Sequence, residues 1–138
     1  MSASQKPREL VYLDTSLVLA ELLDESRRPP TSLWSQSLVT SRLLQYEVCV
    51  RLNDRKVSRE TWDLCREIFD GITFIELLPA VLARSLEPFP KFARTLDAMH
   101  LSTALFVSGQ GPKLSVAAYD QRFIQCAQAL DVPVYDLG

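Results

Sequence analysis

Four acidic side chains stand beside or inside apolar stretches of this sequence, namely Asp14, Glu47, Asp97 and Asp120. Asp14 directly follows the β-favouring run 10–13, and Asp120 follows a second such run. If the two runs are neighbouring parallel strands, both acids project from the same edge of a sheet, and that edge binds ligands in open α/β sheets. Glu47 lies among apolar residues, where an isolated charge is costly unless it is paired or bound to a metal.

Carboxylates that converge on one site repel each other and therefore need cations. Ligation by oxygen alone favours hard ions, Mg²⁺ or Mn²⁺, over zinc. Such a metal can bind a phosphodiester, lower the pKa of a bound water and stabilise the leaving oxygen. The four acids together therefore predict phosphodiester hydrolysis. Each acid alone has a structural interpretation, since Asp14, followed by Thr15 and Ser16, also fits the cap of a helix.

Short strands that alternate with helices would position these acids. The predicted strands cover residues 10–13, 37–40, 72–78, 113–119 and 132–137. The predicted helices cover residues 17–23, 42–53, 59–70, 96–107 and 121–130, and Pro79 starts a further helical turn. This alternation predicts an α/β sandwich around a mainly parallel sheet.

Capping residues set the predicted helix boundaries. Ser41 and Ser58 precede two of the helices and have the side chains that cap well. Thr95 is expected to cap the helix that carries Asp97, so that Asp97 falls in its first turn. Residues 1–9 are expected to form a flexible lead-in.

Length and composition bound the class of protein. A chain of 138 residues is expected to form one domain over residues 1–138. Its hydrophobic fraction of 47% and charged fraction of 23% are typical of a soluble globular protein. No apolar run reaches the length of a membrane span, and the first residues lack the pattern of a signal peptide. The three cysteines form no CxxC motif, which predicts reduced thiols in the cytoplasm.

The net charge of −2 is unusual for a protein that binds nucleic acid. If four of the 17 acids bind metal, however, the remaining acids are fewer than the 15 basic residues, and the rest of the chain is mildly positive. Basic residues crowd the stretch 51–59. A solvated helix face explains that cluster more simply than a contact with RNA.

Four segments of the sequence resemble the PIN-domain ribonucleases. They are Val-Tyr-Leu-Asp-Thr-Ser at 11–16, Leu-Leu-Gln-Tyr-Glu-Val at 43–48, Arg-Thr-Leu-Asp-Ala-Met-His-Leu-Ser-Thr-Ala-Leu at 94–105, and Ala-Tyr-Asp-Gln-Arg-Phe at 118–123. The third segment is the most specific. The resemblance extends from Leu10 to about Val134 in the order and spacing of the family. It is greatest to the small VapC-type toxins of bacterial toxin–antitoxin pairs.

The resemblance implies a three-layer α/β/α fold with a short, mainly parallel central sheet. It implies a catalytic metal site made of Asp14, Glu47, Asp97 and Asp120, which Ser16 supports from the turn. The implied cofactor is Mg²⁺, for which Mn²⁺ substitutes. The implied substrate is RNA, cut endonucleolytically so that translation is inhibited. The implied partners are a cognate antitoxin and a second copy of the chain in a homodimer, with no membrane involved.

Two details of the sequence bear on these implications. The family often has Thr two residues before the last acid, whereas this chain has Ala118, which removes a possible hydrogen bond to a metal ligand. The apolar stretch Leu17–Leu23 is expected to line a groove for the antitoxin. An Arg or Lys of the antitoxin would then lie beside Asp14 and Asp97.

Alternatives exist for the function and for single residues. A phosphatase of the haloacid dehalogenase type would have an acid two residues after Asp14, where Ser16 stands. A non-catalytic PIN-like module that binds RNA or serves as an assembly scaffold tends to lose acids, and all four are present here. His100 lies three residues after Asp97, so it either leans toward the site or packs as a helix residue, and the packing interpretation is preferred. Arg94 is either a phosphate contact or a solvated surface residue.

Overall fold

The computed structural model describes residues 7–23 and 25–138. In this part of the chain, one sheet is formed by the strands β1 (Leu10–Leu13), β2 (Ser37–Ser41), β3 (Ile72–Ile75) and β4 (Ser115–Ala117). Their order across the sheet is β3-β2-β1-β4, and every pair is parallel. β1 therefore lies inside the sheet, between β2 and β4.

Helices cover both faces of this sheet. They are α1 (Thr15–Leu22), α2 (Arg42–Arg55), α3 (Arg59–Asp70), α4 (Pro79–Ser85), α5 (Thr95–Gly109) and α6 (Gln121–Ala129). A short 3-10 helix over Thr31–Ser35 precedes β2. The parallel sheet between helical layers confirms the α/β/α fold that the sequence predicts.

The side chains of β1 alternate between two hydrophobic clusters. Val11 and Leu13 pack with residues of α1, α2 and α3, whereas Tyr12 packs with residues of α5 and α6. All three side chains are fully buried, as expected for a strand inside a parallel sheet. β1 therefore holds both helical layers in place around the residue that follows it, Asp14.

Local capping signals set most of the helix boundaries, but α4 and α5 begin without a hydrogen bond from a capping side chain. Asp14, Ser41 and Ser58 accept hydrogen bonds from backbone N–H groups in the first turns of α1, α2 and α3. The prediction that Thr95 caps α5 is wrong. The helix begins at Thr95 itself, and Arg94 occupies the cap position without a hydrogen bond from its side chain. Asp97 still falls in the first turn, as predicted.

The prediction of a strand over 132–137 is also wrong. Only a single bridge forms there, between Val134 and Val116. The N–H of Val116 donates to the carbonyl of Pro133 at 2.9 Å, and the N–H of Tyr135 donates to the carbonyl of Val116 at 2.8 Å. Because Pro133 has no N–H, it supplies no donor to a longer ladder. β3 and β4 are likewise shorter than predicted.

The predicted lead-in lies partly outside the described residues, which begin at Pro7. Glu9 is held by hydrogen bonds: its N–H donates to Gln36 Oε1 at 2.8 Å, and its carbonyl accepts from the N–H of Ser37 at 2.9 Å. Glu9 is therefore tied to the residues that enter β2. Within 7–23 and 25–138, no helix is both long enough and apolar enough to span a membrane.

Candidate active site

Asp14 lies at the carboxyl end of β1, in the middle of the sheet edge. Its N–H donates to the carbonyl of Ala117 at the end of β4, at 2.9 Å. Its carboxylate caps α1, because Oδ2 accepts from the N–H of Ser16 at 3.2 Å and from Ser16 Oγ at 2.6 Å. Only 7% of Asp14 is exposed. Burial raises the pKa of Asp14, whereas His100 and the hydrogen bonds from Ser16 lower it.

Ser16 connects the two strand ends that carry Asp14 and Asp120. Its hydroxyl donates to Asp14 Oδ2 and accepts from the N–H of Tyr119 at 3.1 Å. Tyr119 immediately precedes Asp120. Ser16, which the sequence predicts to be a supporting residue, therefore contacts the segment of Asp14 and the segment of Asp120.

Asp120 caps α6 and is exposed to solvent. Its Oδ1 accepts from the N–H of Arg122 at 3.0 Å. Asp120 follows β4 as Asp14 follows β1, and these two strands are parallel neighbours. The sequence prediction that both acids project from the same sheet edge is therefore confirmed for the backbone that carries them.

Asp97 approaches the same edge from the first turn of α5. It is half-buried, and the nearby backbone of Arg94 favours its charged form. Burial raises the pKa of Asp97, and the negative charges of Asp120 and Asp14 raise it further. The carboxylate of Asp97 is therefore within electrostatic reach of Asp14 and Asp120, and like charges near one another repel in the absence of a cation.

Glu47 lies on α2 and turns toward different partners. Its Oε1 accepts a hydrogen bond from Thr15 Oγ1 at 2.7 Å and lies 2.7 Å from His100 Nε2. Its charge still acts on Asp14, whose pKa it raises. Glu47 is thus a flanking acid in this conformation, paired within the protein.

His100 is buried in α5, as the packing interpretation of the sequence predicts. Its two ring nitrogens, however, contact Tyr12 on one side and Glu47 on the other. The available signal was its spacing of three residues from Asp97, which puts both side chains on one face of a helix.

The donor set fits a hard divalent cation, because it consists of carboxylates whose mutual repulsion a cation would relieve. The described acidic, histidine and cysteine side chains do not form a group of three or more that is close enough to hold a metal ion. The four acids expected to converge are therefore brought to one region without meeting at one point. Binding a cation would therefore require some of these carboxylates to come closer together than they are in this conformation.

The surroundings of the site differ from the expectation in one respect. Leu17, Val18 and Leu22 are buried in the core beneath the sheet. The stretch Leu17–Leu23 therefore does not line an open groove for a partner, because its apolar side chains already pack against α2 and α3. Arg94 is exposed beside Asp97.

Comparisons with known proteins agree with the fold. The family model described as PIN domain matches residues 11–128. Ribonuclease VapC35 of Mycobacterium tuberculosis, in strains CDC 1551 / Oshkosh and ATCC 25618 / H37Rv, is 27% identical over 135 residues, which cover 94% of this chain and 98% of the relative. A solved toxin-antitoxin complex from Klebsiella pneumoniae contains a chain of similar fold, with a TM-score of 0.56 and 16% identity over 82% of this chain and 89% of that chain.

Proposed function

The chain belongs to the PIN domain family, and on that premise we propose that it is a metal-dependent endoribonuclease that hydrolyses RNA phosphodiester bonds. We propose further that it is the toxin of a toxin–antitoxin pair and inhibits translation in the cytoplasm. The name of the 27% identical relative, Ribonuclease VapC35, supports the ribonuclease activity. The toxin-antitoxin complex with a similar fold supports the toxin role.

The observation that carries the proposal is the grouping of Asp14, Asp97 and Asp120. Asp14 and Asp120 follow neighbouring parallel strands, and Asp97 enters from the first turn of α5. The charges of Asp14 and Asp120 both raise the pKa of Asp97. A purely structural role for three caps or surface acids gives no reason for them to share one edge of the sheet.

We propose that Asp14, Glu47, Asp97 and Asp120 bind Mg²⁺ and that Mn²⁺ can substitute for it. When bound, the ion neutralises charge on the phosphodiester and lowers the pKa of a bound water. The protein's part is to orient the carboxylates. Ser16 fixes Asp14 Oδ2, the first turn of α5 positions Asp97, and Asp120 is exposed to solvent.

An antitoxin is the proposed inhibitory partner, and the structure offers a groove for it. Leu82, Leu86 and Phe92 are exposed and line a groove of about 610 Å³ between α4 and the start of α5. Thr95 and Ala98 also line it, so the groove opens beside the segment that carries Asp97. We propose that an apolar antitoxin segment lies there and directs a cationic side chain to the acids.

A homodimer is the proposed form of the chain. Tyr46 and Val50 are 64% and 68% exposed. They are four residues apart on α2, so they lie on one helix face. A second copy of the chain would cover this apolar face. Small-angle scattering of the antitoxin-free protein tests the dimer, and a monomer at all concentrations would contradict it.

The function is tested by incubating purified, antitoxin-free protein with a mixed RNA pool and Mg²⁺, Mn²⁺ or a chelator. We expect cleavage with either metal, none with chelator, and none with Asp97→Asn. Asp63→Asn is the matched control, because Asp63 is an exposed acid on α3 that pairs with Arg66. A scaffold without catalysis would show no metal-dependent cleavage in the wild type. Cleavage by Asp97→Asn at the wild-type rate would contradict the site.

A further inference from the structure

A chain of hydrogen bonds crosses the layer between β1 and α5 and ends on Glu47. The N–H of Ser41 donates to the Tyr12 hydroxyl at 3.2 Å, and that hydroxyl lies 2.7 Å from His100 Nδ1. His100 Nε2 lies 2.7 Å from Glu47 Oε1. Thr15 Oγ1 donates to the same carboxylate oxygen at 2.7 Å.

The direction of each bond follows from the chemistry of its groups. The Glu47 carboxylate only accepts, so His100 Nε2 carries a hydrogen and donates it. In the neutral tautomer with its hydrogen on Nε2, Nδ1 accepts a hydrogen bond, and the Tyr12 hydroxyl donates it. Burial raises the pKa of Tyr12, so its hydroxyl keeps the hydrogen that it donates. Tyr12 therefore fixes the orientation of the His100 ring whose Nε2 donates to Glu47.

We propose that His100, oriented by Tyr12, is a positioning residue that holds Glu47 Oε1 so that Oε2 is presented to the cation. This inference rests on the proposed function, because it gives Glu47 the role of metal ligand. Among residues 7–23 and 25–138, the hydrogen bonds of Glu47 are all made by Oε1. Oε2 is the oxygen left for a ligand.

A packing role alone does not account for this arrangement. His100 is 1% exposed and Tyr12 is fully buried, and burying polar groups is costly compared with burying apolar groups of the same size. An apolar side chain at position 100 would fill the space without the polar cost. The two ring nitrogens instead contact Tyr12 on β1 and Glu47 on α2, so the ring connects the strand to the acid. Hydrogen bonds to the far side of metal ligands typically change metal affinity by about 10-fold to 100-fold.

Two amide variants separate positioning from packing. His100→Gln places an amide nitrogen near the position of Nε2, within reach of Glu47. His100→Asn places its amide near Nδ1, within reach of Tyr12 only. Asparagine is one methylene shorter than glutamine, so the packing loss is larger in His100→Asn. Tyr12→Phe, which keeps the packing ring and removes only the hydroxyl, therefore accompanies it in the comparison. Ser102→Ala is the control, because Ser102 is buried on the same helix and pairs with Ser85 instead of Glu47.

The readout is the Mn²⁺ dissociation constant of the full-length, antitoxin-free protein without RNA, measured by electron paramagnetic resonance of free Mn²⁺. We expect His100→Asn to weaken binding about 10-fold or more, and we expect His100→Gln and Ser102→Ala to stay close to the wild type. Thermal unfolding in chelator checks that each variant folds. Tyr12→Phe keeps the aromatic ring and removes the hydroxyl that contacts His100, and it should also weaken Mn²⁺ binding. If His100→Asn does not fold, Tyr12→Phe takes its place in the comparison.

The outcomes distinguish this inference from the proposed function. Wild-type affinity in both His100→Asn and Tyr12→Phe would overturn the positioning role while leaving the metal site intact. Equal weakening in His100→Gln and His100→Asn would also overturn it, because loss of packing would then explain both. A wild-type protein that binds no Mn²⁺ would overturn the metal site and the positioning role together.

Discussion

Ser16 and Tyr119 are 103 residues apart in the sequence and are joined by a hydrogen bond of 3.1 Å from the Tyr119 N–H to Ser16 Oγ. The same hydroxyl donates to Asp14 Oδ2 at 2.6 Å. One small side chain therefore connects the turn after β1 to the turn after β4. The distance between Asp14 and Asp120 depends on this connection.

Ser16→Ala should lower both stability and RNA cleavage. The variant loses the hydroxyl donor to buried Asp14 and leaves the Tyr119 N–H without its acceptor. We expect a loss of about 1–3 kcal/mol in the free energy of unfolding, measured with urea, and a clear fall in the cleavage rate. Ser35→Ala is the control, since Ser35 is exposed and its hydroxyl donates to the carbonyl of Ser32, three residues away. Equal behaviour of the two variants would contradict the connecting role of Ser16.

Asp14→Asn should raise the stability of the metal-free protein at pH 7. Burial and Glu47 raise the pKa of Asp14 above its ordinary value of 3.8, against the opposing effects of His100 and Ser16. The stability that protonation of Asp14 gives is therefore fully present below that ordinary value and is lost as the pH rises through the raised folded value. Asparagine has no such titration and still caps a helix.

Thermal unfolding in chelator, from about pH 4 to pH 7, measures this effect. The melting temperature of Asp14→Asn should exceed that of the wild type by a few degrees at pH 7, and the difference should shrink toward the acidic end. The exposed control Asp63→Asn should follow the wild type. A variant less stable than the wild type at pH 7 would show that Asp14 is stabilising as a charged group.

Mg²⁺ or Mn²⁺ should raise the melting temperature of the wild type. A ligand that binds only the folded state stabilises by mass action, by about 2.7 kcal/mol at 100 times its dissociation constant. Asp14→Asn should respond much less, because it lacks a charged ligand. A thermal-shift series with each metal measures both responses. The absence of any shift in the wild type at millimolar metal would contradict a shared cation site.

Alanine variants of the four acids should lose RNA cleavage in proportion to how much each acid contributes to binding the cation. Asp14→Ala and Asp97→Ala should each lower cleavage by orders of magnitude, because a misplaced cation loses both water activation and charge neutralisation. Glu47→Ala and Asp120→Ala should lose less, since water can replace a ligand around Mg²⁺. RNA binding, measured separately by fluorescence anisotropy, should persist or strengthen in all four. Loss of binding in parallel with cleavage would indicate a folding defect.

Leu86→Asp and Phe92→Asp should disrupt the complex with the antitoxin. Both side chains are highly exposed in the groove beside Asp97, at 89% and 75%, so an acid there should leave folding intact while opposing an apolar segment. Co-purification with the product of the neighbouring gene measures binding. Leu64→Asp on α3 is the control. A stable complex with Phe92→Asp would show that the antitoxin docks elsewhere.

Features encoded locally could be predicted from the sequence. Asp14 and Asp120 each end an apolar run and begin a helix, and both signals lie within a few residues. Ser41 and Ser58 cap their helices for the same reason. The parallel sheet followed from the alternation of elements. The position of the two aspartates at one edge required only that β1 and β4 be neighbours.

Features that depend on distant contacts could not be predicted in the same way. Glu47 and His100 are 53 residues apart, and nothing in the local sequence of α2 or α5 pairs them. The sequence gives Glu47 a role as a metal ligand, and nothing in it indicates that Glu47 also accepts a hydrogen bond from the ring of His100. The apolar positions Leu17 and Leu22 were predicted as helical, but periodicity does not tell a core-facing stripe from a docking surface.

The pairing of β1 with β4 also orders the events of biosynthesis. The N–H of Asp14 donates to the carbonyl of Ala117, which lies about 100 residues later in the sequence. Asp120 follows three residues after Ala117. A nascent polypeptide that has not yet emerged from the ribosome as far as residue 120 cannot assemble the three aspartates. The acidic edge therefore forms only after residue 120 has emerged from the ribosome, and a shorter nascent chain cannot bring the three aspartates together.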